Sequence, residues 1–324
     1  MHDIKTRFLI ISETHAKPFT LPNVPVDVAI HCGDLTDESK LGEFRTTLAL
    51  LKSINAPLKL VIAGNHDFTL DLPTFQKKTA EAQRLYSIEP QQMEREFGKF
   101  GEARRLFEDA KGDGIVFLDE GIHRFELENG AGLTVYASPY TSSREADWGF
   151  QYKQGDRHDF DLNGADVVIT HGPPNGVLDR TGSRKRGGCE QLFADVARAR
   201  PRMHCFGHIH EGWGAKVVAW RDVVSDVPSH MVDIDNEKST TVDTLAALRP
   251  EKWDSEGEIL EKERRLGELR RIGYRETDHC SGSEHPVMPG RTTLFVNAAI
   301  ESMEEEHPQL PWVVDIELPA AASK

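Results

Sequence analysis

Short apolar runs, each cut off abruptly by polar or turn-forming residues, punctuate the chain. Residues 8–11 stop at Ser12, 26–31 at Cys32-Gly33-Asp34, and 58–63 at Gly64-Asn65-His66-Asp67. Residues 165–170 stop at His171-Gly172-Pro173-Pro174, and 203–206 at Gly207-His208-Ile209-His210. Runs this short, apolar at consecutive positions, predict strands buried on both faces. Between the second and third, Leu41, Phe44, Leu48, Leu51 and Ile54 recur at helical spacing, which predicts a helix over 39–54. Strand, helix, strand in that rhythm implies parallel strands and an α/β architecture.

Further along, 69–113 is polar and helix-prone, with 91–110 the best helix. Residues 115–118, 123–128 and 133–138 read as strands, the last two joined by a hairpin signal at Asn129-Gly130. A helix is expected at 189–199 and another strand at 215–219. From about 225 to 290 the chain turns charged and poor in apolar residues, with a helix expected at 256–271; it reads as an insertion. Residues 69–114 read as a second one. Strands at 293–297 and 313–317 close the fold, and 319–324 reads as a frayed tail. The whole, 1–324, is expected to be a single domain, a length sufficient for a substantial core.

Five of the predicted strand ends carry metal-binding residue types: Glu13 and His15, Asp34, Asn65 with His66 and Asp67, His171, and His208 with His210. One histidine after a strand is ordinarily structural, and one acid there ordinarily a solvated loop residue. Five such ends in one chain change that reading, because loops at the carboxyl ends of strands converge in α/β sheets. Carboxylate, amide oxygen and imidazole together suit two adjacent divalent ions: manganese first, with iron, zinc or magnesium as alternatives.

SETH, GDLTD, GNHD, HGPP and GHIH stand in order over residues 12–210. They resemble the five blocks of the calcineurin-like metallophosphoesterases. HCGDLTD, VIAGNHDFTLD, ASPY with WGFQY, HGPPNGVLD, HCFGHIHEGWG and FVNAA further resemble the metallophosphoesterase-domain-containing branch. The resemblance implies an α/β/β/α sandwich of two mixed sheets flanked by helices. It implies one metal held by Glu13, His15, Asp34 and His210, and a second by Asp34, Asn65, His171 and His208, with Asp34 as the bridge. A hydroxide shared by the metals would attack phosphorus in line. By the same resemblance His66 is the general acid and Asp67 the carboxylate that orients it.

Glu13 departs from the pattern, since the family normally carries aspartate there. Its longer side chain leads to the expectation that the first metal binds less readily than the second, and that Glu13→Asp tightens it. The departure also keeps open a nucleotide-binding or scaffold protein with a weakened metal centre.

Charge narrows the function. A formal net charge of −14 repels polyanions, so binding to duplex nucleic acid is not expected and a nuclease is the lesser enzymatic reading. A small phosphodiester, in the manner of a cyclic nucleotide, is the expected substrate, hydrolysed as a phosphodiesterase would. The four cysteines form no C-x-x-C pair, and no apolar run is long enough for a signal peptide or membrane span, so the cytoplasm is the expected location with no membrane partner. Oligomeric state is left open. Arg184-Lys185-Arg186 is a candidate phosphate contact against a solvated-surface reading. Trp148 and Trp213 are candidate walls of a nucleotide pocket against a packing reading. Asp278-His279-Cys280 with His285 fits no firm metal template, and Cys32 and Cys205 read as small buried residues.

Overall fold

A computed structural model describes residues 3–86, 89–302 and 308–322. The chain opens with β1 (Ile4–Ile11), β2 (Val28–His31), α1 (Leu41–Ser53) and β3 (Leu58–Val61). Three helices follow, α2 (Leu72–Tyr86), α3 (Pro90–Phe97) and α4 (Glu102–Asp109), before β4 (Ile115–Phe117). Next come the hairpin of β5 (Gly121–Glu126) and β6 (Gly132–Ser138) and a small ribbon of β7 (Thr141–Ser143) and β8 (Gln151–Lys153). Then come β9 (Val167–Thr170), α5 (Glu190–Ala199), β10 (Met203–Phe206) and β11 (Gly214–Ala219). The last third contributes β12 (Thr240–Thr244), α6 (Leu245–Leu248), α7 (Glu256–Ile272), β13 (Arg275–Asp278), β14 (Thr292–Asn297) and β15 (Trp312–Leu318).

Two mixed sheets result. The first runs β13-β15-β1-β2-β3-β4 and the second β12-β11-β14-β10-β9-β6-β5. Within the first, β1 to β4 are mutually parallel; within the second, β6, β9, β10 and β14 are. Alternation along each strand explains the continuous apolar runs. Phe8 and Ile10 of β1 join Val135, Ile169, Cys205 and Val296 in a cluster between the sheets. Leu9 and Ile11 point the other way, into a layer with Phe44 and Leu48 of α1 and Phe107 of α4. On the far side, Val168 and Phe206 pack with Leu192, Phe193 and Val196 of α5. Helix, sheet, sheet and helix layers give the expected α/β/β/α sandwich, with each fully buried large apolar side chain contributing about 1.5–3 kcal/mol.

Two expectations need correction, the unbroken helix over 91–110 and the frayed tail. The helix expected over 91–110 is broken into α3 and α4, because Gly98 (φ 75°) and Gly101 (φ 81°) take left-handed backbone that a right-handed helix cannot continue. Within 69–114, expected as an insertion, Ala103 and Phe107 of α4 join the flanking helical layer. The segment 225–290, expected as an insertion, supplies an edge strand to each sheet, β12 to one and β13 to the other. Asp243 of β12, fully buried, accepts from Arg265 of α7 at 2.6 Å and from Arg275 of β13 at 2.7 Å, tying the segment together. The tail is held rather than frayed as far as Ala321: Pro319 accepts from the Gly132 amide and Ala321 donates to Gly130. Residues 323 and 324 lie outside the described residues. No helix among the described residues is long and apolar enough to cross a membrane.

Candidate metal centre

The parallel strands of both sheets end at one edge, and backbone hydrogen bonds lace their loops together. The Glu13 amide donates to Gly33, that of His15 to Asp34, and that of Gly207 to His171. A bridge between Ser12 and Ala299 joins the ends of β1 and β14, so the two sheets meet here. Turning four polar side chains into the shared space takes unusual backbone: Glu13, His15, Asp34 and His208 all lie at positive φ, between 46° and 64°. Left-handed backbone costs a non-glycine residue about 1–2 kcal/mol, and such clustering marks functional sites. Two glycines permit the close approach. A Cβ on Gly64 would lie 2.3 Å from Asp34 Oδ1, and one on Gly207 2.5 Å from Glu13 Oε1.

Three groups of candidate ligands arise: Glu13 with His15 and His210, His15 with Asp34 and His66, and Asp34 with His171 and His208. Within each, the ligand atoms lie within 4.8 Å of one another. Asn65 joins the third group, its Oδ1 standing 2.9 Å from His171 Nε2. All seven residues expected as ligands are therefore brought together.

The donor set fits divalent cations. His15 Nδ1 lies 3.1 Å from the Thr36 carbonyl and His171 Nδ1 2.9 Å from the Cys32 carbonyl. A carbonyl only accepts, so both Nδ1 atoms carry hydrogen, and a neutral ring then presents a lone pair at Nε2. His171 Nε2 faces the Asn65 oxygen and, at 3.4 Å, Asp34 Oδ2. His15 Nε2 is buried without a hydrogen bond, although Glu13 Oε2 lies 3.3 Å away. Acceptors facing acceptors in a buried cluster need positive charge among them, supplied by a proton or a dication. Protonation energetics agree. Burial disfavours imidazolium at both rings, yet Glu13 and Glu301 outweigh it at His15, lifting it to about 11, and Asp34 and Glu13 lift His171 to about 9.

Glu13 is no surface acid, being 1% exposed. Its Oε1 accepts from Ser12 Oγ at 2.8 Å and from the His208 amide at 2.7 Å. That leaves Oε2 toward His15 and toward His210 Nε2, 3.2 Å away. The extra methylene is thus used: one oxygen reaches the loop carrying His208, the other stays in the cluster.

His66 sits at the rim. Its amide donates to Asp34 Oδ1 at 2.8 Å, and Nδ1 donates to the Asp37 carbonyl at 2.6 Å. The Trp148 ring, 40% exposed, lies alongside it at 4.6 Å between centroids. The expected partnership of Asp67 with His66 is not formed. Asp67 is fully buried, and both its oxygens are taken: Oδ1 by the Thr36 amide and hydroxyl, Oδ2 by the Leu35 and Gly64 amides. It splints the Asp34 loop to the Asn65 loop, and the Asp37 backbone orients the imidazole instead.

Other candidates take their bland reading. Arg186 pairs with buried Asp179 at 2.6 Å, and Arg184 lies over Trp253. Trp213 is buried and stacked on Trp312, the packing role. His279 is satisfied by the His285 carbonyl and the Thr277 hydroxyl. Cys32 and Cys205 are buried. One residue at the cluster was not foreseen: Glu301 Oε2 lies 2.9 Å from His15 Nε2.

Comparison with known proteins places this edge in context. The chain is 34% identical over 218 residues to a UPF0046 protein of Caenorhabditis elegans, covering 64% of this chain and 52% of that protein. It is 32% identical over 216 residues to human metallophosphoesterase domain-containing protein 1, covering 64% of this chain and 62% of that one. The match therefore spans only about half to three-fifths of these relatives. A solved purple acid phosphatase, PPD1 of yellow lupin, is matched by the whole of this chain over 47% of its own, at 9% identity and a TM-score of 0.35, too low to carry an argument. The family model for calcineurin-like phosphoesterases matches residues 6–212, the stretch that holds all seven candidate ligands, and the chain belongs to that family.

Proposed function

We propose that the protein is a metal-dependent phosphoesterase that hydrolyses small phosphodiesters in the cytoplasm. The observation that carries this reading is the convergence of three ligand groups, linked through His15 and Asp34, at the carboxyl ends of both sheets. Glu13, His15, Asp34 and His210 would hold one divalent ion, and Asp34, Asn65, His171 and His208 the other. Manganese suits this mixture of carboxylate, amide oxygen and imidazole. When bound, the pair would supply charge neutralisation at the phosphoryl oxygens and an acidified water.

The chain's own groups then divide the work. Asp34 is positioned by its left-handed backbone and by the His66 amide, so its carboxylate stays between the two histidine groups. His66, with Nδ1 fixed by Asp37, keeps Nε2 for the proton delivered to the leaving oxygen. Trp148 beside it offers a flat apolar face to a leaving group that carries a ring. That, with the acidic surface, favours a small ester over a polyanion.

The test is hydrolysis of a panel of phosphomonoesters and phosphodiesters, including cyclic nucleotides and bis(4-nitrophenyl) phosphate, with manganese, magnesium or zinc added. Turnover of diesters that chelator abolishes and manganese restores is expected. No turnover with any metal on any ester overturns the reading in favour of a binding module.

A further inference from the structure

The geometry points to Glu301 as an additional ligand of the metal held by Glu13, His15 and His210. This inference rests on the metal-centre reading above and adds to it a second full carboxylate charge at one of the two positions.

Placement is the first ground. Ala299 bridges Ser12, so the residues just beyond, Glu301 and Glu13, leave the two strand ends toward the same space. The Ile300 amide donates to the Ser12 carbonyl at 3.0 Å, and the Gln309 amide to the Ile300 carbonyl at 2.8 Å. Buried Gln309 also donates through Nε2 to the carbonyls of Glu301, at 2.6 Å, and His210, at 3.0 Å. The backbone carrying Glu301 is thereby tied both to the Glu13 strand end and to the His210 turn.

The second ground is the orphaned ring atom. His15 is 5% exposed, and its Nε2 finds no hydrogen bond although Glu301 Oε2 stands 2.9 Å away and Glu13 Oε2 3.3 Å. His210 Nε2 lies 3.9 Å from the same Glu301 oxygen. Two imidazole nitrogens and two carboxylate oxygens thus face one another without mutual hydrogen bonding at His15. A divalent cation among them would serve all four as acceptors. Glu301 Oε1 is turned away and pairs with Lys17, so one oxygen is left for the cluster. A pairing with exposed Lys17 alone does not account for this aim, because such surface pairs contribute little.

The consequence is asymmetry. One position collects Glu13, Glu301 and a share of Asp34; the other has Asp34 as its only carboxylate, with Asn65, His171 and His208. The first is the harder, more anionic site, suited to manganese or magnesium, and it fills before the second. This reverses the order expected from Glu13 alone.

The experiment is titration of chelator-stripped protein with manganese alone, followed by calorimetry and by the electron paramagnetic resonance of free manganese. Wild type should bind two equivalents with unequal affinity. Glu301→Gln should weaken the tighter step about 100-fold or more, since even supporting groups around a ligand contribute 10–100-fold, and should leave the other step within threefold. Lys17→Ala should leave the tighter step unchanged or strengthen it. Should Glu301→Gln fold poorly, Glu301→Asp, which keeps the charge but withdraws the oxygen, carries the same expectation. An unchanged tighter step in the Glu301 variants, or an equal loss in Lys17→Ala, overturns the assignment while leaving the metal centre intact. Absence of manganese binding by wild type overturns both.

Discussion

Replacing Glu13 by aspartate, the residue that the family resemblance leads one to expect there, should weaken the proposed metal centre. Glu13 Oε1 bonds the His208 amide at 2.7 Å while Oε2 faces His15 and His210. Aspartate is shorter by one carbon–carbon bond, about 1.5 Å. If the shortened carboxylate keeps its place in the cluster, the contact to His208 opens to roughly 4 Å, too long for a hydrogen bond. Ser12 Oγ has a second acceptor in Gly33 at 3.2 Å, so only the amide is stranded. An unsatisfied buried donor costs about 1–3 kcal/mol. At about 1.4 kcal/mol per tenfold, full coupling to binding weakens manganese about 5- to 150-fold. Because His208 belongs to the other ligand group, both steps should suffer. Calorimetric manganese titration of Glu13→Asp beside wild type is the assay, with thermal unfolding in chelator to record the metal-free loss. Tighter binding at either step would refute the reasoning and show that the loop bearing His208 follows the shorter side chain.

Asp67→Ala strands the Leu35, Thr36 and Gly64 amides at once, so it should lower metal-free stability by about 3 kcal/mol or more in urea unfolding; a loss confined to turnover would restore the role of orienting His66. His66→Ala should do the opposite, keeping metal stoichiometry and stability while lowering turnover about 10²–10⁴-fold, and loss of a metal equivalent would make His66 a ligand. Away from the centre, His204 is buried with Nε2 on Thr170 and Nδ1 unpartnered, and burial depresses it from 6.5 to about 3. The unfolded chain therefore binds a proton that the folded one refuses, so this contribution is intact above pH 6.5 and shrinks as pH falls toward 3. Between pH 6.5 and 4.5 it removes about 2.3 kcal/mol, and His204→Phe should flatten the acid limb of urea-unfolding stability by that amount; parallel limbs would show that His204 does not set it.

What was legible in the chain follows from which forces act locally. Strands such as β1 and β9 are buried on both faces, so their apolar runs announce themselves without neighbours. The candidate ligand residues stand straight after those runs, where convergence follows from parallel topology. Glu301 was illegible because its surroundings, IESMEEEH, read as acidic surface, and only the long-range bridge from Ala299 to Ser12 turns it inward. Asp67 looked like a partner for its neighbour His66, but burial turned it to four other donors, three in the Asp34 loop and the Gly64 amide of its own turn. The break between α3 and α4 had a local signal, Gly98 and Gly101, which helical composition around it concealed. The charged stretch at 225–290 hid β12 and β13 because edge strands bury one face incompletely and lack a continuous apolar run.

The central claim, that these strand ends hold two divalent ions with Asp34 between them, is tested most directly by metal stoichiometry. Wild type and Asp34→Asn, stripped with chelator, are dialysed against manganese and analysed by elemental mass spectrometry. The account predicts two equivalents per chain for wild type and weakening at both positions for Asp34→Asn, since removing the shared charge leaves the repulsion between dications unopposed. A wild-type chain that retains no manganese, or an Asp34→Asn variant that loses only one equivalent, would contradict it.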